Sequence, residues 1–483
     1  MSSAPETAQP AAAGGRASSP AGAPLPESHG LAPSERRLSG PLGALPLPQQ
    51  VLRLAIWPLM EQLLNFGVGF VDTYLAGHLS VAATSAIGVG AYIGWLVNLL
   101  QMSVGVGAAA VISRAIGGRH RRVAHAALGQ AMLLSVFMGL FTWALVHYGA
   151  VPITHVMGVR DEAREATLIY LRVTALGAPF SSLVAVGSAC LRASGDTRSP
   201  FLVLTVINAI NFGVSLALVK MGHGVWGIGM GTSLAWAVGA CITVAVLMGG
   251  WGGIRLHAHR LRPHASTLRR VARVGFANVL EGMGIWSGNF ILLATVGKID
   301  STGRGVPLAA HIVAIRIEAI SFLPSFAVGI AASTLAGQYL GLSDPDRARR
   351  AVNLCWHAVL VVMVVLGAVF YFFAEGLTRL VTDQPEVLAQ APALLRTCGP
   401  VQVFLGSAIV LSNALRGAGD TRMTMKLTYL TIFLVRVPLA YLLAIPLGLG
   451  LHGLWIGLCT ELVFRGVVFS ARYLHGGWVR VRV

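Results

Sequence analysis

After Gln50 the chain is a succession of apolar runs, each roughly 20 or more residues long, the length an α-helix needs to cross a bilayer. Twelve such runs can be counted. The first half holds them at about 51–75, 84–112, 124–149, 167–191, 199–220 and 224–249, and the second at about 271–297, 307–336, 351–374, 391–415, 424–447 and 452–474. In lipid every backbone N–H and C=O must find its partner inside the protein, and an open sheet cannot provide this. The apolar period is helical throughout, so the expected fold class is an all-α polytopic membrane protein. Composition agrees: 55% of the 483 residues are hydrophobic and only 11% are charged, against about 25% charged in a soluble domain.

Basic residues alternate along the connections. Those after the even-numbered runs carry Arg114, Arg119, Arg121 and Arg122; Arg192 and Arg198; Arg255, Arg260, Arg262, Arg269 and Arg270; Arg347, Arg349 and Arg350; and Arg416, Arg422 and Lys426. The odd-numbered connections are poorer, with nothing basic after the first run, Arg160 and Arg164 after the third, Lys220 after the fifth, and Lys298 and Arg304 after the seventh. Arg and Lys stay on the cytoplasmic side, so both termini are expected in the cytoplasm of a multi-pass plasma (inner) membrane protein. The net charge of +17 is then a topology signal and implies no nucleic-acid partner. Residues 1–49, rich in Ala, Pro, Gly and Ser, lack a signal-like apolar stretch and read as a disordered cytoplasmic tail.

Several chemistries find no footing. The five cysteines (Cys190, Cys241, Cys355, Cys398, Cys459) are scattered singly in or beside apolar runs, which suggests neither a zinc site nor a disulfide framework. The basic stretch Gly117–Arg122 lacks P-loop spacing, so no nucleotide is expected. No clustered nucleophile or cofactor loop supports a membrane-embedded enzyme, and no cofactor is implied.

Two stretches share a polar skeleton, LRASGDTRSP (Leu191–Pro200) and LRGAGDTRMT (Leu415–Thr424), 224 residues apart. With six runs in each half, they mark a duplication. Because six is even, the halves enter the membrane in the same direction, as parallel repeats related by an axis along the membrane normal. The expected division is an N-terminal lobe of 50–250, a cytoplasmic linker of 251–270 and a C-terminal lobe of 271–478.

Four stretches together resemble the MATE (multidrug and toxic compound extrusion) secondary transporters: WPLMEQLLNFGVGFVDTYLAGHL in the first run, both GDTR words, AAHIVAIRIEAISFLPSFAVGIAA in the eighth run and VRVPLAYLL in the eleventh. The resemblance spans roughly 50–478. It implies a V-shaped pair of six-helix bundles that alternates between inward- and outward-facing states and acts as an antiporter. The family exports organic cations and other amphiphiles in exchange for H⁺ or Na⁺, so small organic compounds and the lipid bilayer are the implied partners, and the chain is expected to be a monomer. A lipid or lipid-linked oligosaccharide flippase of the wider superfamily is the alternative; it would bring extra spans and a strongly cationic cavity.

An ionisable side chain at mid-bilayer costs about 2.5–3.5 kcal/mol, so each one invites a role. In run one, Glu61 and Asp72 are eleven residues apart and return to nearly the same helix face, with Asn65 about 40° away. From Arg53, Glu61 lies roughly 12 Å deep and Asp72 nearly 30 Å deep at about 1.5 Å per residue. Asp72, in Val-Asp-Thr, stands where the resemblance places the family's cation-coupling aspartate. A carboxyl among apolar groups exchanges protons near neutral pH. In run five, Asn208, Asn211 and Ser215 share a face. Relatives often carry Asp where this chain has Ser215, and a single carboxylate favours H⁺ over a sodium cage of acidic oxygens. Second-lobe candidates are Glu281, His311 and Glu318, although Leu292 and Leu405 occupy positions where acids would complete a site like the first. Arg436, Glu461 and Arg465 read as ion pairs between runs eleven and twelve. Arg192, Asp196, Arg198, Arg416, Asp420 and Arg422 form the cytoplasmic turn motif, in which each aspartate is expected to pair with a neighbouring arginine and cap a helix.

Overall fold

The computed structural model describes residues 38, 40–77, 79–157, 159, 161–299 and 305–481, with the side chains of 41, 66–77, 81 and 156 outside that description. Among the described residues all regular structure is helical. The first half comprises α1 (Leu47–Gly77), α2 (Val81–Gly117), α3 (Arg121–Val156), α4 (Asp161–Ala175), α5 (Ala178–Ser194), α6 (Arg198–Lys220) and α7 (Gly224–Gly249). The second comprises α8 (Ala265–Ile299), α9 (Val306–Gly341), α10 (Pro345–Phe372), the short α11 (Ala374–Arg379) and α12 (Pro385–Leu388), α13 (Ala391–Cys398), α14 (Gln402–Gly417), α15 (Thr421–Thr431), α16 (Val437–Ala444) and α17 (Gly450–Leu474). Among the described residues ten helical spans are long and apolar enough to cross a membrane, and α4 with α5, bent by 51°, make an eleventh. With the 31-residue α1, these correspond to the twelve apolar runs.

Three of the runs are broken, each next to a proline. Pro179 opens α5 after the bend, and Pro400 sits in the 3₁₀ turn between α13 and α14. In the eleventh run a π-helical turn, Ile432–Arg436, precedes Pro438. Proline has no N–H and its ring collides with the carbonyl four residues back, here Leu434, so the extra residue of a π-turn absorbs the clash. That turn also carries Arg436 into the bundle interior, where it is buried.

Part of the stretch expected as tail is folded. Residues 1–37 and 39 lie outside the described residues, but α1 begins at Leu47, and Leu38 and Leu42 are buried with Val51, Leu54, Leu335 and Tyr339. Residues 40–49 are therefore folded, because two leucines among the prolines and glycines have an apolar surface to cover. The linker is also held. Gln130 of α3 donates to the carbonyls of Arg260 and Arg262 (2.9 Å each) and accepts from the His264 amide (2.9 Å), and α8 has already begun by Ala265.

The two halves meet chiefly through α1 and α2 of the first and α8 and α9 of the second. Lipid gives helices no hydrophobic reason to associate, so close packing of small residues has to hold them. A Cβ placed on Gly117 of α2 would meet the carbonyl of Gln338 on α9, and one on Gly341 of α9 would meet the carbonyl of Arg114 on α2. Gly117 and Gly341 are 224 residues apart, as are Arg114 and Gln338, so the crossing repeats the offset of the GDTR words and has a local two-fold character. Along α8 the contact continues from Gly107 against Val271 to Trp95 against Trp286, whose rings meet edge to face at 5.6 Å. Gly341→Val should lower the melting temperature in detergent, since overpacking against backbone costs about 1–3 kcal/mol. Gly297→Val on α8, where a Cβ has nothing within 4 Å, should leave it unchanged; equal melting temperatures for the two variants would contradict the crossing.

Candidate functional site

Each GDTR word closes a helix by the same hydrogen-bond pattern. Gly195 and Gly419 adopt left-handed φ values of 103° and 89°, which a side chain would disfavour. The Gly195 and Asp196 amides donate to the carbonyls of Arg192 (3.0 Å) and Leu191 (3.0 Å). The Gly419 and Asp420 amides do the same to Arg416 (2.9 Å) and Leu415 (2.9 Å). This is the Schellman stop of a helix, written twice.

The arginine before each stop reaches a glutamate on the first helix of its own half. Arg192 donates through Nη1 to both carboxylate oxygens of Glu61, at 3.1 and 3.2 Å. Arg416 donates to Glu281 through Nη2 (2.8 Å) and Nε (3.3 Å), and the hydroxyls of Thr424 (3.1 Å) and Thr428 (2.9 Å) complete the carboxylate's shell. Glu281 is 2% exposed and Glu61 19%. Each pair ties α1 to α5 or α8 to α14, across the interior of a half.

The expected pairing within the turns is therefore corrected: Arg192 and Arg416 are taken by glutamates, and the two aspartates differ. Asp196 accepts from the amides of Arg198 (3.2 Å) and Ser199 (3.0 Å) and from the Ser199 hydroxyl (2.6 Å), capping α6. Asp420 makes no such cap and binds Arg472 of α17 at 2.6 and 3.0 Å. Burial pushes the Asp420 carboxyl above the ordinary aspartate range, while Arg472 pulls it down. Arg198 lies over the Trp57 ring at 5.7 Å, and Arg422 is exposed.

The words also form the seam between halves. Gln338 Nε2 donates to the Ala193 carbonyl (2.9 Å), and Thr334 Oγ1 to that of Arg192 (3.1 Å). Reciprocally, Arg114 Nη2 donates to the Ala418 carbonyl (2.9 Å). Each half thus grips the turn of the other at the same end of the bundle.

Deeper in the first half, Asn211 Oδ1 accepts from Ser215 Oγ (3.0 Å) and Thr232 Oγ1 (3.4 Å), with Asn211 and Ser215 buried. Asn208 Nδ2 is buried without a partner among the described residues, and Asn65 is exposed. Asp72 lies on α1, but its side chain falls outside the described residues. In the second half, Glu461 is fully buried and accepts from Arg436 Nη2 (2.8 Å) and Arg465 Nε (2.6 Å), and Arg436 Nη1 also donates to Asn289 Oδ1 (2.8 Å). His311 and Glu318 are both buried but do not bond each other. Trp455 Nε1 donates to His311 Nδ1 (3.1 Å), and the Cys398 thiol donates to Glu318 Oε1 (3.4 Å).

The MatE family model matches residues 59–217 and again 278–442, once in each half. The chain belongs to the MatE family. It is a multi-pass membrane transporter of that family. It is 29% identical over 435 residues to the probable multidrug resistance protein NorM of Thermotoga maritima, spanning 89% of this chain and 93% of that one. It is 25% identical over 437 residues to the multidrug resistance protein PmpM of Pseudomonas aeruginosa, spanning 88% and 90%. The fold matches that of a multidrug resistance MATE transporter solved in an outward-facing conformation, with a TM-score of 0.84 at 20% identity over 90% of this chain and 97% of that one.

In this MATE chain Gln338, Thr334, Thr424 and Thr428 join the site without a local sequence pattern that marks them. The 224-residue offset held the signal for one of them, since it carries Arg114 onto Gln338. Breaking a buried pair by removing one partner costs about 3–5 kcal/mol, whereas replacing both with apolar residues of similar volume is close to neutral. Glu281→Gln should therefore destabilise the protein by about 3 kcal/mol, and adding Arg416→Met should recover more than half of it. Denaturation of the single and double variants would measure this, and additive losses would contradict the pair.

Proposed function

We propose that this transporter is a cation-coupled antiporter expelling amphipathic or cationic organic compounds from the cytoplasm, with H⁺ rather than Na⁺ as the coupling ion. Two lobes, 50–250 and 271–478, alternate in access, and both termini are cytoplasmic. The observation that carries this reading is the polar group inside the first half. Asn211 and Ser215 are buried and bonded together, and the Asn208 amide beside them lacks a partner among the described residues. Trp57 of α1 meets Phe201 of α6 at 5.4 Å between ring centroids. Counting outward from this contact at an equal rise per residue, Asn208 comes level with Asn65, and Ser215 with Asp72. An amide and hydroxyl wall at the height of one carboxylate suits a group that takes up and releases a proton.

Glu61 is less suited to carrying the ion, because Arg192 already neutralises it, and the same holds for Glu281 with Arg416. Among the second-lobe candidates, Glu318 is the carboxylate whose side-chain donor among the described residues is a thiol. With the GDTR end cytoplasmic, the seam of Gly117, Gly341, Arg114 and Gln338 is the cytoplasmic seal, and the described state is the one closed on that side.

The test is efflux of a cationic dye from proteoliposomes with proton and sodium gradients imposed separately. A proton gradient alone should drive uphill export and a sodium gradient alone should not. Asp72→Asn should reduce driven export to background without changing the melting temperature. Wild-type export by that variant, or export driven by sodium alone, would contradict the proposal.

A further inference from the structure

At the GDTR end of the second half, a groove of about 330 Å³ opens between α8 and α15, with Arg273, Arg422 and Lys426 on its lining and Phe276, Ala277 and Met425 along its floor. The register of the duplication shows how the first half is built differently at this place. Glu61 and Glu281 take equivalent partners, which sets Trp57 against Ala277. Arg198 and Arg422 are the last residues of the two GDTR words, which sets Phe201 against Met425 and Leu202 against Lys426. In the first half the Trp57 and Phe201 rings pack together and Arg198 covers Trp57. In the second half the indole is reduced to a methyl group, the phenyl ring becomes a thioether, and an extra cation arrives.

Arg273, Arg422 and Lys426 are all exposed, and among the described residues none has a carboxylate within ion-pair distance. The acids near the groove in sequence are occupied elsewhere, Glu281 by Arg416, Thr424 and Thr428 and Asp420 by Arg472. Three uncompensated cations therefore rim an apolar floor at the level where the helices end, the place where headgroups lie. Basic pockets between transmembrane helices attract anionic headgroups.

We propose that this groove binds an anionic phospholipid, its phosphate held by Arg273, Arg422 and Lys426 and an acyl chain laid along Phe276, Ala277 and Met425. A free anion would leave the apolar floor uncovered, and a zwitterionic headgroup would bring its own ammonium against the three cations.

The test uses the purified, delipidated full-length protein titrated with phosphatidylglycerol, phosphatidylcholine or inorganic phosphate, read by melting temperature and by lipid retained in native mass spectrometry. Phosphatidylglycerol should stabilise the wild type, and the other two should not. Arg422→Gln with Lys426→Gln should weaken phosphatidylglycerol binding about thirtyfold, as the loss of two interfacial cations requires. Ala277→Trp, which rebuilds the first-half arrangement and keeps every cation, should weaken it comparably. Arg121→Gln with Arg122→Gln, which removes two exposed cations elsewhere, should not. Equal stabilisation by phosphatidylcholine or phosphate, unchanged binding in the Arg422/Lys426 variant or in a folded Ala277→Trp variant, or equal loss in the Arg121/Arg122 variant would overturn the proposal.

Discussion

A glutamate on the first helix of each half, bonded to the arginine that ends a later helix, fixes the arrangement of everything around it. Glu61 with Arg192 and Glu281 with Arg416 are ion pairs set within transmembrane bundles, where an unpaired charge is costly. Each glutamate can lie there only because the arginine arrives, and each arginine arrives only because its helix stops where it does. The stop is set by Gly195 and Gly419, whose left-handed backbone turns the chain and frees the carbonyls just before it. Those carbonyls, at Ala193 and Ala418, are then gripped by Gln338 and Arg114 from the opposite half. One short polar word thus sets the helix end, the interior ion pair and the seam between halves.

From that shared frame the halves diverge. The first aspartate of the pair caps α6, while the second leaves its helix uncapped to bind Arg472. The first half places amide and hydroxyl groups around Asn211, whereas the second fills the comparable depth with Glu461 between two arginines and with Glu318 under a thiol. A duplicated scaffold therefore carries two different sets of interior chemistry.

Much of this was legible in the sequence, for physical reasons. Apolar length and helical period specify spans in lipid almost without alternatives, so the twelve runs map onto the helices of the structure. The repeat was legible because two polar words stand out in an apolar chain. Side-chain partners were not. Arg192 has Asp196 four residues away and Glu61 131 residues away, and nothing local says that the helix stop turns it toward the distant one. Proline breaks were visible as residues, but the π-turn before Pro438 and the 51° bend between α4 and α5 depend on what the neighbouring helices accept. Leu38 and Leu42 were hidden among prolines and glycines, where their burial depends on a surface made by the other half.

The central claim is that the GDTR end is a seam closed in this state and opened during transport. Arg122 and Asp346, both exposed beside the α2–α9 crossing, are 224 residues apart and flank the seam from opposite halves. Distances between spin labels at these two sites, in a cysteine-free protein reconstituted in liposomes, measure the seam directly at high and low pH and with a transported cation. The account predicts a short distance and a second, longer population whose share changes with pH and substrate. A single distance, unchanged under every condition in a protein that still transports, would contradict it.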